Sequence, residues 1–182
     1  MISSQRSQNV IVSLVIIVAL VSSVFIVNNE QYYSGSYELV GKMQVSLVKT
    51  VVSDIDPTNE SLYPSISFTL NFRTDASTEG NVRLLFIGAI VWLNDDSLTY
   101  TDFRRGVTAN ADQLLHPGYD VNFTLARTIN SDTDRTSILQ ADSTDTWNWY
   151  IRVSYDFITF DEPGSRTSRV LYFNSTGSTT IL

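Results

Sequence analysis

The sequence predicts an all-β domain, an antiparallel β-sandwich of about seven strands of immunoglobulin or fibronectin type, preceded by one N-terminal transmembrane helix. Three observations predict it. Residues 10–27, VIVSLVIIVALVSSVFIV, contain no charge and no strong polar group. Beyond them, alternating apolar and polar runs recur between turn-forming clusters, and helix-period segments are nearly absent. The chain has 182 residues and no cysteine. The part beyond the helix, about 150 residues, is the size of one domain that holds together on an apolar core alone.

At about 1.5 Å of rise per residue, residues 10–27 reach roughly 27 Å, close to the ~30 Å hydrocarbon core of a bilayer. The chain divides into a cytoplasmic tail over 1–9, a span over 10–27, a juxtamembrane linker over 28–36 and an extracytoplasmic domain over 37–182. Arg6 and the terminal amine precede the span and Glu30 follows it, so the positive-inside bias puts the N-terminus in the cytoplasm and the domain outside the cell membrane. A cleaved signal is one rival, because Val21, Ser22 and Ser23 suit a peptidase, but the apolar run overshoots the usual signal core of about 7–15 residues. A pilin-like helix is another, and the short basic leader it needs is not evident in MISSQRSQN. In the linker, Tyr32 and Tyr33 are expected at headgroup level, and Gly35 with its flanking serines is expected to form a short hinge.

The first strand has Met43, Val45, Leu47 and Val51 on one face, and the turn formers from Ser53 to Asn59 end it. In the second, Ile66, Phe68, Leu70 and Phe72 alternate with Ser67, Thr69, Asn71 and Arg73. The third, over 82–93, is apolar on both faces and is expected to be central and covered on both sides. A turn at Asn94, Asp95 and Asp96 leads to a returning strand begun by Leu98 and Tyr100. Leu114 and Leu115 are expected beneath the Pro117-Gly118 turn, ahead of a fifth strand with Val121, Phe123 and Leu125 inward. The segment 131–145 holds one or two helical turns with Ile138 and Leu139 facing in. Trp147, Trp149, Ile151, Val153, Tyr155 and Phe157 alternate through a sixth strand, and the turn from Asp161 to Gly164 leads to a seventh over 169–173.

The order of tail, span and sandwich, with Pro117-Gly118 turning into the strand over 119–127, resembles the membrane-anchored late embryogenesis abundant type 2 and WHy (water stress and hypersensitive response) group. The likeness covers 43–173. Where that family's early strand runs into Asn-Pro, this chain has Asn71 followed by Phe72. The resemblance implies a non-catalytic envelope or stress-related module and supplies no site residues.

The formal net charge is -7, and the only lysines are Lys42 and Lys49. Nucleic acid is excluded as a partner, because no basic cluster exists beyond Arg104 and Arg105 to neutralise phosphates. Catalytic groups are scarce. The single histidine, His116, precedes Pro117 in a turn and reads as a solvated turn residue rather than a base. The carboxylate pairs Asp95 with Asp96 and Asp142 with Asp145 have the chemistry for glycoside hydrolysis, but fall where aspartate serves turns. Calcium is the one cofactor with a candidate site, since Asp54, Asp56, Asn59 and Glu60 offer oxygens within one loop. Trp92, Trp147 and Trp149 lie in apolar phase and are expected in the core. The acceptor pattern for N-glycosylation occurs at Asn59, Asn122 and Asn174.

These readings converge on a single-pass membrane protein whose non-catalytic domain binds or supports cell-surface or envelope components. Its partners are the lipid bilayer, through the helix, and a protein or envelope component, with room for a homo-oligomer. The alternative is a filament or envelope-assembly subunit that exchanges its first strand with a neighbour. A third is a secreted hydrolase using loop carboxylates.

Overall fold

The computed structural model describes residues 2–98, 103–177 and 179–182, and begins with one unbroken helix, α1 (Ile2–Gly41), of 40 residues. At 1.5 Å per residue it is about 60 Å long. Its apolar half is wholly exposed and is long and apolar enough to cross a membrane. The expected hinge is helix instead. Ser34 and Ser36 turn their hydroxyls back onto the carbonyls of Gln31 and Tyr32, at 3.0 Å each, so both serines are satisfied inside the helix. Tyr32 and Tyr33 pack on Phe160 of the domain, with ring centroids 6.4 and 4.4 Å away.

The chain then forms β1 (Met43–Ser53), β2 (Ser65–Thr74), β3 (Val82–Leu93), β4 (Asp96–Ser97), β5 (Phe103–Gly106), α2 (Asn110–Gln113), β6 (Asp120–Thr128), α3 (Asp132–Thr144), β7 (Asn148–Thr159), β8 (Thr167–Thr176) and β9 (Thr179–Ile181), with a 3-10 turn at Pro163–Ser165. They make two sheets, ordered β6-β2-β1-β9 and β4-β3-β7-β8, with β5 also on β3. The sheets face each other across one core in a sandwich-like arrangement. Phe68 meets Phe103 and Trp149, and Phe72 meets Phe123 and Tyr155, all edge to face at 5.1–5.4 Å. Trp149 Nε1 donates to Thr179 Oγ1 at 2.8 Å and ties the sheets together at β9, a strand too short to carry a periodic signal.

Alternation survives wherever the pleat is regular. Ile66, Phe68, Leu70 and Phe72 are fully buried, as are Phe123 and Leu125, and Trp147 to Phe157 bury every second residue. A bulge between Leu47 and Lys49 breaks the phase of β1. Thr50 and Val52 turn inward after it, Val51 does not, and Val48 is exposed. The strand count also departs from about seven, because the described residues hold two short pieces, β4 and β5, between β3 and β6, and β9 at the end. Leu98 is buried after β4, and Tyr100 lies outside the described residues.

β3 is central but covered on one side only. Its outer face carries Ile90, 46% exposed, and a half-buried Trp92. Trp92 therefore leaves the core and packs on Tyr150 at 5.2 Å, and Tyr150 stacks on Tyr172 at 5.8 Å. Cross-strand pairs of this kind satisfy an apolar outer face without a second layer. Leu115 is buried as expected, whereas Leu114 is exposed in an isolated bridge to Arg83. Segment 131–145 becomes a 13-residue helix rather than one or two turns, with Ile138 fully buried and Leu139 half-buried. β1, the strand that exchange would donate, lies between β2 and β9 inside its sheet.

The strands run from a near pole beside α1 to a far pole roughly 35–40 Å away, from about 3.3 Å per residue. At the near pole, α1 is stitched to the connection between β2 and β3. Ser36, fully buried, accepts from Asn81 N at 2.8 Å, Thr74 Oγ1 donates to Leu39 O at 3.1 Å, and Ser77 Oγ donates to Glu38 Oε1 at 3.3 Å. Leu39 and Val40 enter the core. Gly35 and Gly80 make this approach possible: a Cβ on Gly35 would lie 2.0 Å from Glu79 O, and one on Gly80 would lie 2.5 Å from Ser36 N.

Candidate functional site

The far pole is built by the loop after β1, the turn after β3, and α3. Ser131 caps α3 by accepting from Asp134 N at 3.4 Å, and Asp132 and Asp134 in the first turn complement the helix dipole. Asp145, at φ 49, ends the helix in the left-handed region, where its N–H reaches Ala141 O and Asp142 O. Ile138 and Ala141 press α3 onto the core.

Between α3 and the turn lies a polar cleft of about 330 Å³. Asn94 and Asp95, at φ 50 and 69, form the two-residue turn that its β-hairpin twist favours. Asn94 then bridges β7, donating through Nδ2 to Thr146 O at 2.7 Å and accepting from Asn148 N at 3.1 Å. Asp96 accepts from Ser137 Oγ at 3.3 Å across the cleft, and Asp95 and Gln140 complete its rim. The lining is carboxylate, amide and hydroxyl, suited to hydrogen bonding with a polar partner. Ser137 on Asp96 is a hydroxyl on a carboxylate, and among the described residues lining the cleft there is no histidine beside it. His116 sits at the opposite pole, with Nδ1 donating to Pro117 O at 2.9 Å and its ring edge-on to Tyr119. Asp142 and Asp145 finish α3, and only Asp95 and Asp96 of the two carboxylate pairs line the cleft.

The calcium candidates meet a different cation. Arg135, on α3, donates from Nε to Leu62 O and from Nη2 to the carbonyls of Asp56 and Asn59, each at 3.1 Å. Asp56 Oδ1 accepts from Thr58 N at 2.8 Å and Thr58 Oγ1 at 2.6 Å, and these bonds hold its carboxyl below the usual carboxylate range. Asp54 accepts from Ser53 Oγ, and Asn59 Oδ1 from Ser61 N. Glu60 is exposed. Loop oxygens that would converge on calcium are thus divided between a guanidinium and local turns, and among the described residues no group of three or more His, Cys, Asp or Glu is arranged to hold a metal. Tyr63 seals the far side of the loop by donating to Asp132 Oδ1 at 2.6 Å, which raises its phenol pKa.

Arg135 is the organising residue that sequence reasoning missed. Its signal was faint: an arginine in a short helical segment with no acid placed for an i,i+4 pair. Arg135→Ala is expected to cost about 2 kcal/mol, since charge-assisted bonds to three carbonyls are lost and the loop regains water only partly. Hydrogen exchange over 54–62 in the full chain checks this, with faster exchange there and little change in β7.

The three acceptor asparagines are exposed. Asn59 lies in the far loop, Asn122 on the outer face of β6, accepting from Asn71 Nδ2 at 3.0 Å, and Asn174 on the outer face of β8, opposite Tyr150. No protein-family model matches the chain, and no curated protein matches it. Among solved structures the chain is similar to a Bordetella pertussis protein bearing the name ApaA, at 12% identity and TM-score 0.45, with 72% of this chain and 90% of that one covered. It is also similar to a protein from Archaeoglobus fulgidus, at 8% identity and TM-score 0.44, with 75% of this chain and 100% of that one covered.

Proposed function

We propose that this chain is a single-pass membrane protein that holds a non-catalytic β-sandwich outside the cell membrane and offers its far pole to a protein or envelope partner. The observation that carries the reading is the apolar half of α1, exposed around its whole circumference and continued without a break into the domain. A rod apolar on every side suits lipid better than a one-sided protein interface. Ser23 fits that setting, since its hydroxyl donates to Ala19 O at 2.8 Å within the helix. The sandwich is read as of immunoglobulin or fibronectin type, supported by the buried Tyr119, whose hydroxyl reaches back to Asp112 O at 2.5 Å at the start of β6.

A rigid anchor fixes which end of the domain faces away from the bilayer. That end carries the polar cleft, the Arg135-braced loop and Asn59. Binding through hydroxyls, amides and carboxylates needs no cofactor, and the scarcity of nucleophile and base argues for recognition over turnover. The test is protease treatment of intact cells carrying the full chain with a C-terminal epitope, combined with cross-linking from Gln140→Cys. An epitope removed from outside, with a cross-linked neighbour, is the expected result. A protected epitope, or a mature chain beginning near residue 24, overturns it.

A further inference from the structure

We infer that Phe160 and the α1 residues Tyr32 and Tyr33 form an aromatic collar that inserts into the headgroup layer of the bilayer, making the turn after β7 a second membrane contact of the domain. This rests on the membrane-anchor reading. Four rings gather at one place: Phe160 lies 6.4 Å from Tyr32, 4.4 Å from Tyr33 and 6.3 Å from Tyr37. The cluster faces water in the absence of lipid, with Tyr32 41%, Tyr33 50% and Tyr37 69% exposed.

Helix geometry sets its depth. Counting from Val27, the last residue of the apolar run, Tyr33 stands about 9 Å further along the axis, and side chains on a helix lean toward its N-terminus, here toward the bilayer. The headgroup layer adds roughly 5–8 Å on each side of the hydrocarbon core. The rings of Tyr32 and Tyr33 therefore fall within it, and Phe160, in contact with Tyr33, falls at the same level. Rings with polar tips favour that layer.

The backbone of Phe160 makes the contact more than a by-product of packing. Its φ is 59, in the left-handed region that a bulky side chain rarely adopts, and Asp161 follows at φ 53. The surroundings hold it there. Phe160 N donates to Asn81 O at 3.0 Å, Asn81 Nδ2 donates to Asp161 Oδ2 at 3.0 Å, and Arg83 Nε lies 2.7 Å from Asp161 Oδ1 as an ion pair. Asn81 in turn donates its backbone N–H to Ser36 of α1. The strained turn is thus clamped to the anchor helix, with its ring aimed at the tyrosines. Glu30 and Glu162 flank the collar, so attraction to anionic lipid does not drive the contact, and zwitterionic lipid suits it.

The absence of cysteine makes single-site labelling clean. The full chain is placed in phosphatidylcholine nanodiscs with a nitroxide at Val18→Cys, Glu162→Cys or Gln140→Cys, and collision with an aqueous nickel chelate is measured. The Glu162 label is expected to collide several-fold less often than the far-pole Gln140 label. Equal collision at 162 and 140 overturns the collar while a protected Val18 label leaves the anchor standing. A Val18 label in water overturns both.

Discussion

Gly35→Ala will destabilise this protein by about 2–3 kcal/mol, although the same change in an isolated helix stabilises by about 1 kcal/mol. The sign reverses because the residue sits where backbone meets backbone. A Cβ there would lie 2.0 Å from Glu79 O and 2.9 Å from Glu79 C, and a carbonyl of the chain cannot rotate away as the tip of a long side chain can. Separation of the two segments lengthens the bond from Asn81 N to Ser36 Oγ, takes from the Asn81 N–H its acceptor, and draws Leu39 from the core. Gly41→Ala is the control, since nothing lies within 4 Å of the Cβ it would carry. Thermal unfolding of the full chain in detergent should show a fall of roughly 10 °C for Gly35→Ala and none for Gly41→Ala. Trypsin cleavage after Lys42 should quicken several-fold in the first variant alone. An unchanged melting temperature for Gly35→Ala would mean that α1 is not docked on the domain.

The same glycine shows what a sequence can and cannot disclose. Ser34, Gly35 and Ser36 have the composition of a hinge, and nothing local distinguishes a glycine kept for flexibility from one kept for close approach. The partner, Gly80, lies 45 positions away in another polar stretch. Strands were legible where side chains alternate on a regular pleat, as from Ile66 to Phe72, because burial on one face imposes a period of two. They were misread where geometry departs from the pleat: the bulge at Val48 changed which of Val51 and Val52 points inward, and β9 has three residues and takes its place through Trp149 and β1. Trp92 misled because an apolar residue on a two-sided apolar strand carries no mark of its face. The cleft was partly visible through Asp95 and Asp96 in their turn. Arg135 was not, because its three acceptors are backbone carbonyls, which carry no sequence identity.

Phe68→Ala carries the largest expected loss, about 3–5 kcal/mol, the range for deleting a fully buried phenylalanine. Its ring bridges the sheets, edge-on to Phe103 at 5.1 Å and to Trp149 at 5.4 Å. Such contacts contribute about 0.5–1.5 kcal/mol beyond burial, so the upper half of the range applies. Collapse into the void is restrained, because Phe68 pairs with Thr50 on one side and Leu125 on the other in ladders that fix both neighbours. Phe68→Leu keeps most of the volume and should cost less than about 1.5 kcal/mol. Thr69→Ala, one step along on the outer face, removes only a 3.1 Å hydroxyl contact to Thr124 and should stay within about 0.5 kcal/mol. Against a total of about 5–15 kcal/mol for a domain, the alanine variant leaves a measurable unfolded fraction near physiological temperature. Denaturant titration followed by tryptophan emission reads the effect directly, since Trp149 lies against the deleted ring. β2 also joins the poles, from Ser65 beside the far loop to Thr74, whose hydroxyl holds Leu39 O of α1. Loosening its centre should therefore raise hydrogen exchange at both ends together, and a response confined to one pole would show that α1 and the cleft are not mechanically joined through this strand.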